Sequence, residues 1–166
     1  MSEPFEDLTP EEEVRGVALA LARHRRSEAL GHVNRRFSAG RPPEHYHVLG
    51  VLCEMAVAKR LRVPISDDIP GYQHIGNNDD VAGWQIKGTD HPRGRLLLPV
   101  RYAQHYELRR RYLLVRKVGR RYFLVGWAWG YEFIGREDCI VDEPKYGIHA
   151  YCPKVLHPFE PEPEDS

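Results

Sequence analysis

The chain has 166 residues, of which 42% are hydrophobic and 29% charged, values typical of one globular domain and not of a disordered chain. No apolar run approaches the roughly 18 residues of a membrane span, and the acidic first residues lack the regions of a signal peptide, so we expect a cytoplasmic protein without a membrane partner. The formal charge is zero, yet ten acids lie in residues 1–13 and 160–166, which leaves 24 basic against 14 acidic residues (+10) between them. A central region with this positive charge (the +10 body) could attract phosphates. However, 19 of the 24 basic residues are arginine, a bias that nucleotide composition also produces.

The first predicted helix starts at Thr9, because Thr9-Pro10-Glu11-Glu12 combines a capping hydroxyl, a proline at the first helical position and a capping box. Gly40 and two prolines end the helical pattern, so we expect the helix to run to about Phe37, with Gly31 as a place for a break. Residues at helical spacing form its apolar stripe: Val14, Val17, Ala18, Leu21 and Ala22.

A second helix is predicted from about Glu44 to Leu61, and it places a carboxylate, Glu54, on the flank of its apolar stripe. Gly50, one turn before Glu54, would let another backbone approach closely. The stripe consists of Leu49, Leu52, Cys53, Ala56 and Val57. Taken alone, Glu54 is better explained as a member of an i,i+4 ion pair or as a carboxylate at the edge of the core than as a functional residue.

No pattern typical of a histidine or cysteine metal site is present. His45 and His47 point apart on a helix, and the sequence has no HExxH motif. The cysteines are widely spaced and form no CxxC pair, which argues against a disulfide framework and a cysteine-rich zinc site. The three cysteines are Cys53, Cys139 and Cys152.

Beyond the helices the pattern changes to strands. Residues 62–79 indicate an irregular connection, and VAGWQIKG (81–88) with RLLLPVR (95–101) predicts a hairpin. Residues 102–111 predict a short helix or a loop. YLLVRKV (112–118) and YFLVGWAW (122–129) predict a second hairpin with a tight basic turn.

The predicted organisation is one α+β domain with a mixed or mostly antiparallel sheet of four or more strands and helices packed on it. Residues 1–8 are expected to be a flexible acidic N-terminus, and residues 159–166 an acidic, proline-rich tail. The domain then spans residues 9–158, with a helical extension at 9–37 and a core at 44–152.

The segment with the most chemical content is DDVAGWQIKGT (79–89). In a strand, Gln85 and Lys87 project to one face, while Trp84 and Ile86 project to the other. Phosphodiester hydrolysis needs a hard cation held by oxygens and a positive group that orients water or stabilises charge. Acidic side chains upstream, an amide oxygen and a lysine are suited to that chemistry.

These residues resemble a known superfamily. The order of Glu on a helix, then Asp, then Gln-x-Lys on a strand is similar to the PD-(D/E)xK, restriction-endonuclease-like proteins. More closely, the chain resembles small phage-encoded proteins over roughly residues 45–132. The matching segments are GVLCEMAVAKRL (50–61), DVAGWQIKGT (80–89), YLLVRK (112–117) and YFLVGWAWG (122–130).

The resemblance implies a restriction-endonuclease-like core, Glu54, Asp80 and Gln85 as ligands of Mg²⁺ or Mn²⁺, and Lys87 as the catalytic cation. Gln85 stands where an acid is usual, which removes one negative charge from the metal site. A straight strand would separate Asp80 from Gln85 by about 16 Å, so the chain must turn near Gly83 or another carboxylate must serve.

Three further acids keep the ligand assignment open. Asp79 shares strand parity with Gln85, and Asp67 or Asp68 could come from a neighbouring segment.

The leading hypothesis is a Mg²⁺-dependent nuclease that hydrolyses DNA in a bacterial host. The alternative is a catalytically inactive member of the fold that binds nucleic acid or a protein partner. A third interpretation makes the positive body an RNA- or protein-binding surface. The resemblance leaves a homodimer open and implies no organic cofactor.

Two surfaces of the strands bear on these hypotheses. Alternate residues of the last strand form one face, interpreted as core and not as a platform for stacking bases: Phe123, Val125, Trp127 and Trp129. A set of bases could contact a nucleic-acid backbone or form a solvated surface: Arg109, Arg110, Arg111, Arg116, Lys117, Arg120 and Arg121.

Overall fold

A computed structural model describes residues 3–29, 43–65, 80–99, 108–134, 136–143, 147–151 and 156–160. These residues form two helices and seven strands, and neither helix is long and apolar enough to cross a bilayer. The helices are α1 (Pro10–Ala29) and α2 (Pro43–Leu61). The strands are β1 (Phe5–Asp7), β2 (Trp84–Thr89), β3 (Leu97–Pro99), β4 (Arg111–Val118), β5 (Arg121–Trp129), β6 (Ile140–Glu143) and β7 (Gly147–Tyr151). The α+β prediction is confirmed.

The start of α1 is the predicted capping box. The Glu12 N–H donates to Thr9 Oγ1 at 3.2 Å, and the Thr9 N–H donates to Glu12 Oε1 at 3.3 Å. The predicted continuation of α1 to Phe37 lies outside the described residues.

The buried face of α1 differs from the predicted stripe. Val14 is 71% exposed and Ala18 is also exposed, whereas Gly16, Ala20 and His24 are buried. The reason is a close approach of the two helices at Gly16. A Cβ there would lie 2.6 Å from Met55 Sδ of α2, so the small residues, and not the largest apolar ones, define the contact.

Helix α2 is the centre of the core, because α1 covers one side of it and the sheet covers the other. All five predicted stripe residues are buried, and Val51, Met55 and Ala58 are buried with them. The close approach expected at Gly50 is not there, since a Cβ added at Gly50 would meet no neighbouring atom of the described residues within 4 Å. It occurs instead at Gly88 of β2, where a Cβ would lie 2.8 Å from Cys53 Sγ.

The main sheet has the strand order β1-β5-β4-β2 and is mixed. The predicted hairpin of β4 and β5 is confirmed, with a two-residue turn in which Gly119 has φ of +61°. The predicted pairing of residues 81–88 with 95–101 is wrong. Strand β2 pairs with β4 in parallel, and β3 joins β7 and β6 in a second sheet.

Residues 81–88 and 95–101 do not pair because their apolar side chains pack in different hydrophobic clusters. Trp84 and Ile86 of β2 pack in the cluster around α2, whereas Leu96 and Leu98 pack with Phe133 in a second cluster. A hairpin would have placed both apolar sets against the same layer.

Strand β5 changes its buried face along its length. Its register with β4 shifts between Leu114 and Val115, so Leu124 pairs with Val115 and Gly126 with Leu114. The residues interpreted as the core face, Phe123, Val125, Trp127 and Trp129, are half-buried, and Trp127 packs against the cluster around α2. The buried residues of β5 are Tyr122, Leu124, Gly126 and Ala128.

Both ends of the chain enter the fold more deeply than expected. Residues 5–7 of the supposed flexible N-terminus form β1, which pairs antiparallel with β5, and Leu8 is buried. Phe159, the first residue of the supposed tail, is buried against Trp84 with ring centroids 5.4 Å apart. Large apolar side chains at both ends explain this, because burying each one stabilises the fold by about 1.5–3 kcal/mol.

Candidate functional site

A tight turn brings Asp80 back beside β2. Ala82 (φ +44°) and Gly83 (φ +85°) form its tip, and the Trp84 N–H donates to the Val81 carbonyl at 2.8 Å. As a result the Ile86 N–H donates to Asp80 Oδ2 at 2.8 Å. The turn at Gly83 thus removes the separation between Asp80 and Gln85 that a straight strand would impose.

Glu54 lies on α2 with its side chain 20% exposed. The Arg23 guanidinium of α1 donates to Glu54 Oε2 at 3.3 Å. Burial, and next to it the negative charge of Asp80, raises the pKa of Glu54 from 4.5 to about 7, while Arg23 and Lys87 act in the opposite direction. Charges on a helix, a turn and a strand therefore lie within electrostatic reach of one another.

Gln85 and Lys87 occupy the positions in β2 that the alternation predicts. Trp84 and Ile86 belong to the core around α2, so Gln85 and Lys87 project from the other face of the strand. Gln85 is buried and Lys87 is half-buried. The structure thus places Asp80 and Lys87 within electrostatic reach of Glu54, and it places Gln85 on the face of β2 that carries Lys87.

Asp80 and Lys87 lie at the edge of the main sheet. Strand β2 is the outer strand of the main sheet as far as the described residues show, and its Ile86 N–H is bonded to the Asp80 carboxylate. The acids that kept the ligand assignment open, Asp67, Asp68 and Asp79, lie outside the described residues.

Arg23 is the member of this cluster that the sequence did not single out. It reaches Glu54 because the small residues Gly16 and Ala20 let α1 lie close to α2. Small residues four apart, followed by a polar residue at the same helical phase, are the signal that could have indicated it.

The two carboxylates suit a hard divalent cation. Glu54 is a buried acid whose ionised form is disfavoured by Asp80, and a cation between them would relieve that repulsion. Arg23 already compensates part of the negative charge of Glu54. A bound cation would therefore have to displace the Arg23 guanidinium or bind Glu54 together with it. The donor set fits Mg²⁺ or Mn²⁺ on these terms.

The basic residues of the β4–β5 hairpin are partly neutralised by the N-terminal acids. Ion pairs join Arg116 to Glu3 at 2.7 Å and Arg121 to Asp7 at 2.9 Å. Another basic residue, Arg111, stacks over the Trp84 ring at 4.1 Å. The acidic N-terminus therefore lies against the basic surface, and the +10 body presents less unpaired charge than the sequence count indicates.

A comparison of the chain with protein-family models, curated proteins and solved structures gives no match.

Proposed function

We propose that the chain is a Mg²⁺-dependent phosphodiesterase that cleaves DNA, built on a PD-(D/E)xK, restriction-endonuclease-like core. The observation that carries the proposal is that Asp80 and Lys87 act electrostatically on Glu54 beside the outer strand of the described sheet. Two carboxylates and a lysine from three separate segments are the groups that phosphodiester hydrolysis requires.

The residues take distinct roles in this proposal. Glu54, Asp80 and the amide oxygen of Gln85 would hold Mg²⁺, which supplies positive charge to the scissile phosphate. Lys87 orients the attacking water and stabilises the charge that develops on the phosphorane. Asp80 is held in place by its bond from the Ile86 N–H, so its second oxygen keeps a fixed direction.

Two observations favour the alternative, a catalytically inactive module of the same fold that binds nucleic acid or a protein partner. Arg23 forms a protein-internal ion pair with Glu54, which a structural carboxylate would also need. Gln85 supplies one negative charge fewer than an acid at its position.

A nicking assay on supercoiled, linear and single-stranded DNA with Mg²⁺ or Mn²⁺ tests the proposal. We expect metal-dependent cleavage by the wild type, and a loss of at least about 100-fold in Lys87→Ala with the fold retained. Lys59→Ala is the charge-matched control, because Lys59 pairs with Glu12 and takes no part in the cluster. Absence of cleavage of every DNA form, together with a lowered melting temperature of Lys87→Ala, would establish the inactive module.

The ligand class is tested separately by DNA binding at two salt concentrations. Contacts with phosphates release counterions, so affinity should fall steeply between about 50 and 200 mM salt. An affinity that is undetectable at low salt, or the same at both concentrations, rejects the nucleic-acid ligand in both forms of the proposal.

A further inference from the structure

A second cluster of potential metal ligands lies where α1 and α2 meet, apart from the sheet edge. His24 of α1 places its Nε2 atom 3.1 Å from Glu28 Oε1 and 3.5 Å from Glu44 Oε1. One ligand atom of each of these three residues lies within 4.8 Å of the other two. Ligands around a zinc ion at about 2.0–2.2 Å are separated by distances of this order.

His24 is the residue that marks this cluster as a site. It is only 4% exposed, and neither ring nitrogen forms a hydrogen bond of acceptable geometry with the described residues, while Nε2 lies at ion-pair distance from both carboxylates. Buried polar groups are nearly always satisfied, because leaving one without a partner costs about 1–3 kcal/mol. The ring nitrogen nearest the two carboxylates is therefore available as a ligand atom.

The backbone arrangement provides the three ligands without strain. His24 and Glu28 are four residues apart on α1 and so lie on one face of the helix. Glu44 comes from the first turn of α2, and the His47 ring packs against the His24 ring with centroids 4.6 Å apart. The carboxylates are open to solvent, with Glu28 64% and Glu44 43% exposed, so water can complete a coordination shell.

We propose that His24, Glu28 and Glu44 form a binding site for a divalent transition-metal ion, with Zn²⁺ as the representative. One imidazole and two carboxylates suit Zn²⁺ better than Mg²⁺, which prefers oxygen ligands alone. A bound ion would link the second half of α1 to the start of α2.

This site is separate from the cluster at the sheet edge. Glu44 and Glu54 lie ten positions apart in α2, a distance of about 15 Å at ~1.5 Å per residue. The inference is therefore independent of the proposed nuclease function, and variants of the two sites can be compared directly.

Zn²⁺ titration of chelator-treated protein, in competition with a chromogenic chelator, tests the proposal. We expect one Zn²⁺ per chain and a higher melting temperature of the loaded protein. Glu28→Gln and Glu44→Gln should each weaken binding at least tenfold. Glu11→Gln, which removes an exposed acid from the first turn of α1, should bind as the wild type does.

Three results would overturn the proposal. The first is no Zn²⁺ binding, which would leave His24 as an internal partner of the two acids. The second is an equal Zn²⁺ affinity of Glu28→Gln and the wild type. His24→Gln is measured as a further variant, and circular dichroism checks that both variants are folded. The third is loss of binding in Glu54→Gln alone, which would assign the ion to the sheet edge.

Discussion

The raised pKa of Glu54 gives the protein a pH dependence of stability that one substitution should remove. An acid that binds its proton more tightly in the folded state stabilises the fold below its unfolded pKa. That contribution is lost as the pH rises through the folded pKa. For Glu54 the window runs from 4.5 to about 7. Glu54→Gln keeps the size of the side chain and an oxygen for Arg23, but it has no proton to lose.

The size of this stability change follows from the shift in the pKa of Glu54. A rise from 4.5 to about 7 corresponds to about 3 kcal/mol at ~1.36 kcal/mol per pKa unit. Burial is the first cause and the charge of Asp80 the second, so the penalty is electrostatic and belongs to the ionised carboxylate. Between about pH 4 and pH 8.5 the variant should therefore gain about 2–3 kcal/mol of unfolding free energy relative to the wild type.

Urea denaturation followed by tryptophan fluorescence, at half-unit steps across this pH range, measures the difference. Glu11→Gln serves as the control, because it removes an acid from an exposed position of α1. Parallel stability curves for the wild type and Glu54→Gln would refute the reasoning, since they would show that Glu54 titrates alike in the folded and unfolded chains.

Three other predictions follow from the packing and the electrostatics. Gly50→Ala should stabilise the protein by about 0.5–1 kcal/mol in urea denaturation, because an added Cβ meets no neighbouring atom of the described residues. Gly16→Ala should not give this gain, because its Cβ would collide with side chains of α2. Equal effects of the two substitutions would contradict the close contact between the helices. Phe159→Ala should cost about 3–5 kcal/mol, and a melting temperature like that of the wild type would place Phe159 outside the core. Asp80→Asn should lower the pKa of Glu54, so the pH step should shrink; an unchanged step would separate the two carboxylates.

The sequence predicted those parts of the fold that depend on local patterns. The capping box at Thr9, the range of α2 and the hairpin of β4 and β5 all follow from residues close together in the chain. The parallel pairing of β2 with β4 could not be predicted in this way. It joins Trp84 to Arg111, and the alternation of a strand does not specify its partner.

The carboxylates of the candidate site came from the resemblance and not from geometry, and the counter-charge of Glu54 was not predicted. The sequence did indicate that Asp80 could approach Gln85 only through a turn near Gly83, and the structure has that turn, with Asp80 bonded to the Ile86 N–H. Arg23 was not predicted, because the buried face of α1 was assigned from its larger apolar residues. The helix instead packs through its small residues, an outcome that depends on the shape of the opposing helix.

Helix α1 contributes residues to each of the two proposed sites. Its approach to α2 at Gly16 determines where the next two turns of the helix lie. One turn carries Arg23 to Glu54 of the sheet-edge cluster, and its neighbour His24 faces the carboxylate of Glu44. The same packing contact thus positions one residue of each proposed site. Loss of that contact would alter both sites, whereas removal of a single charged group would alter only one.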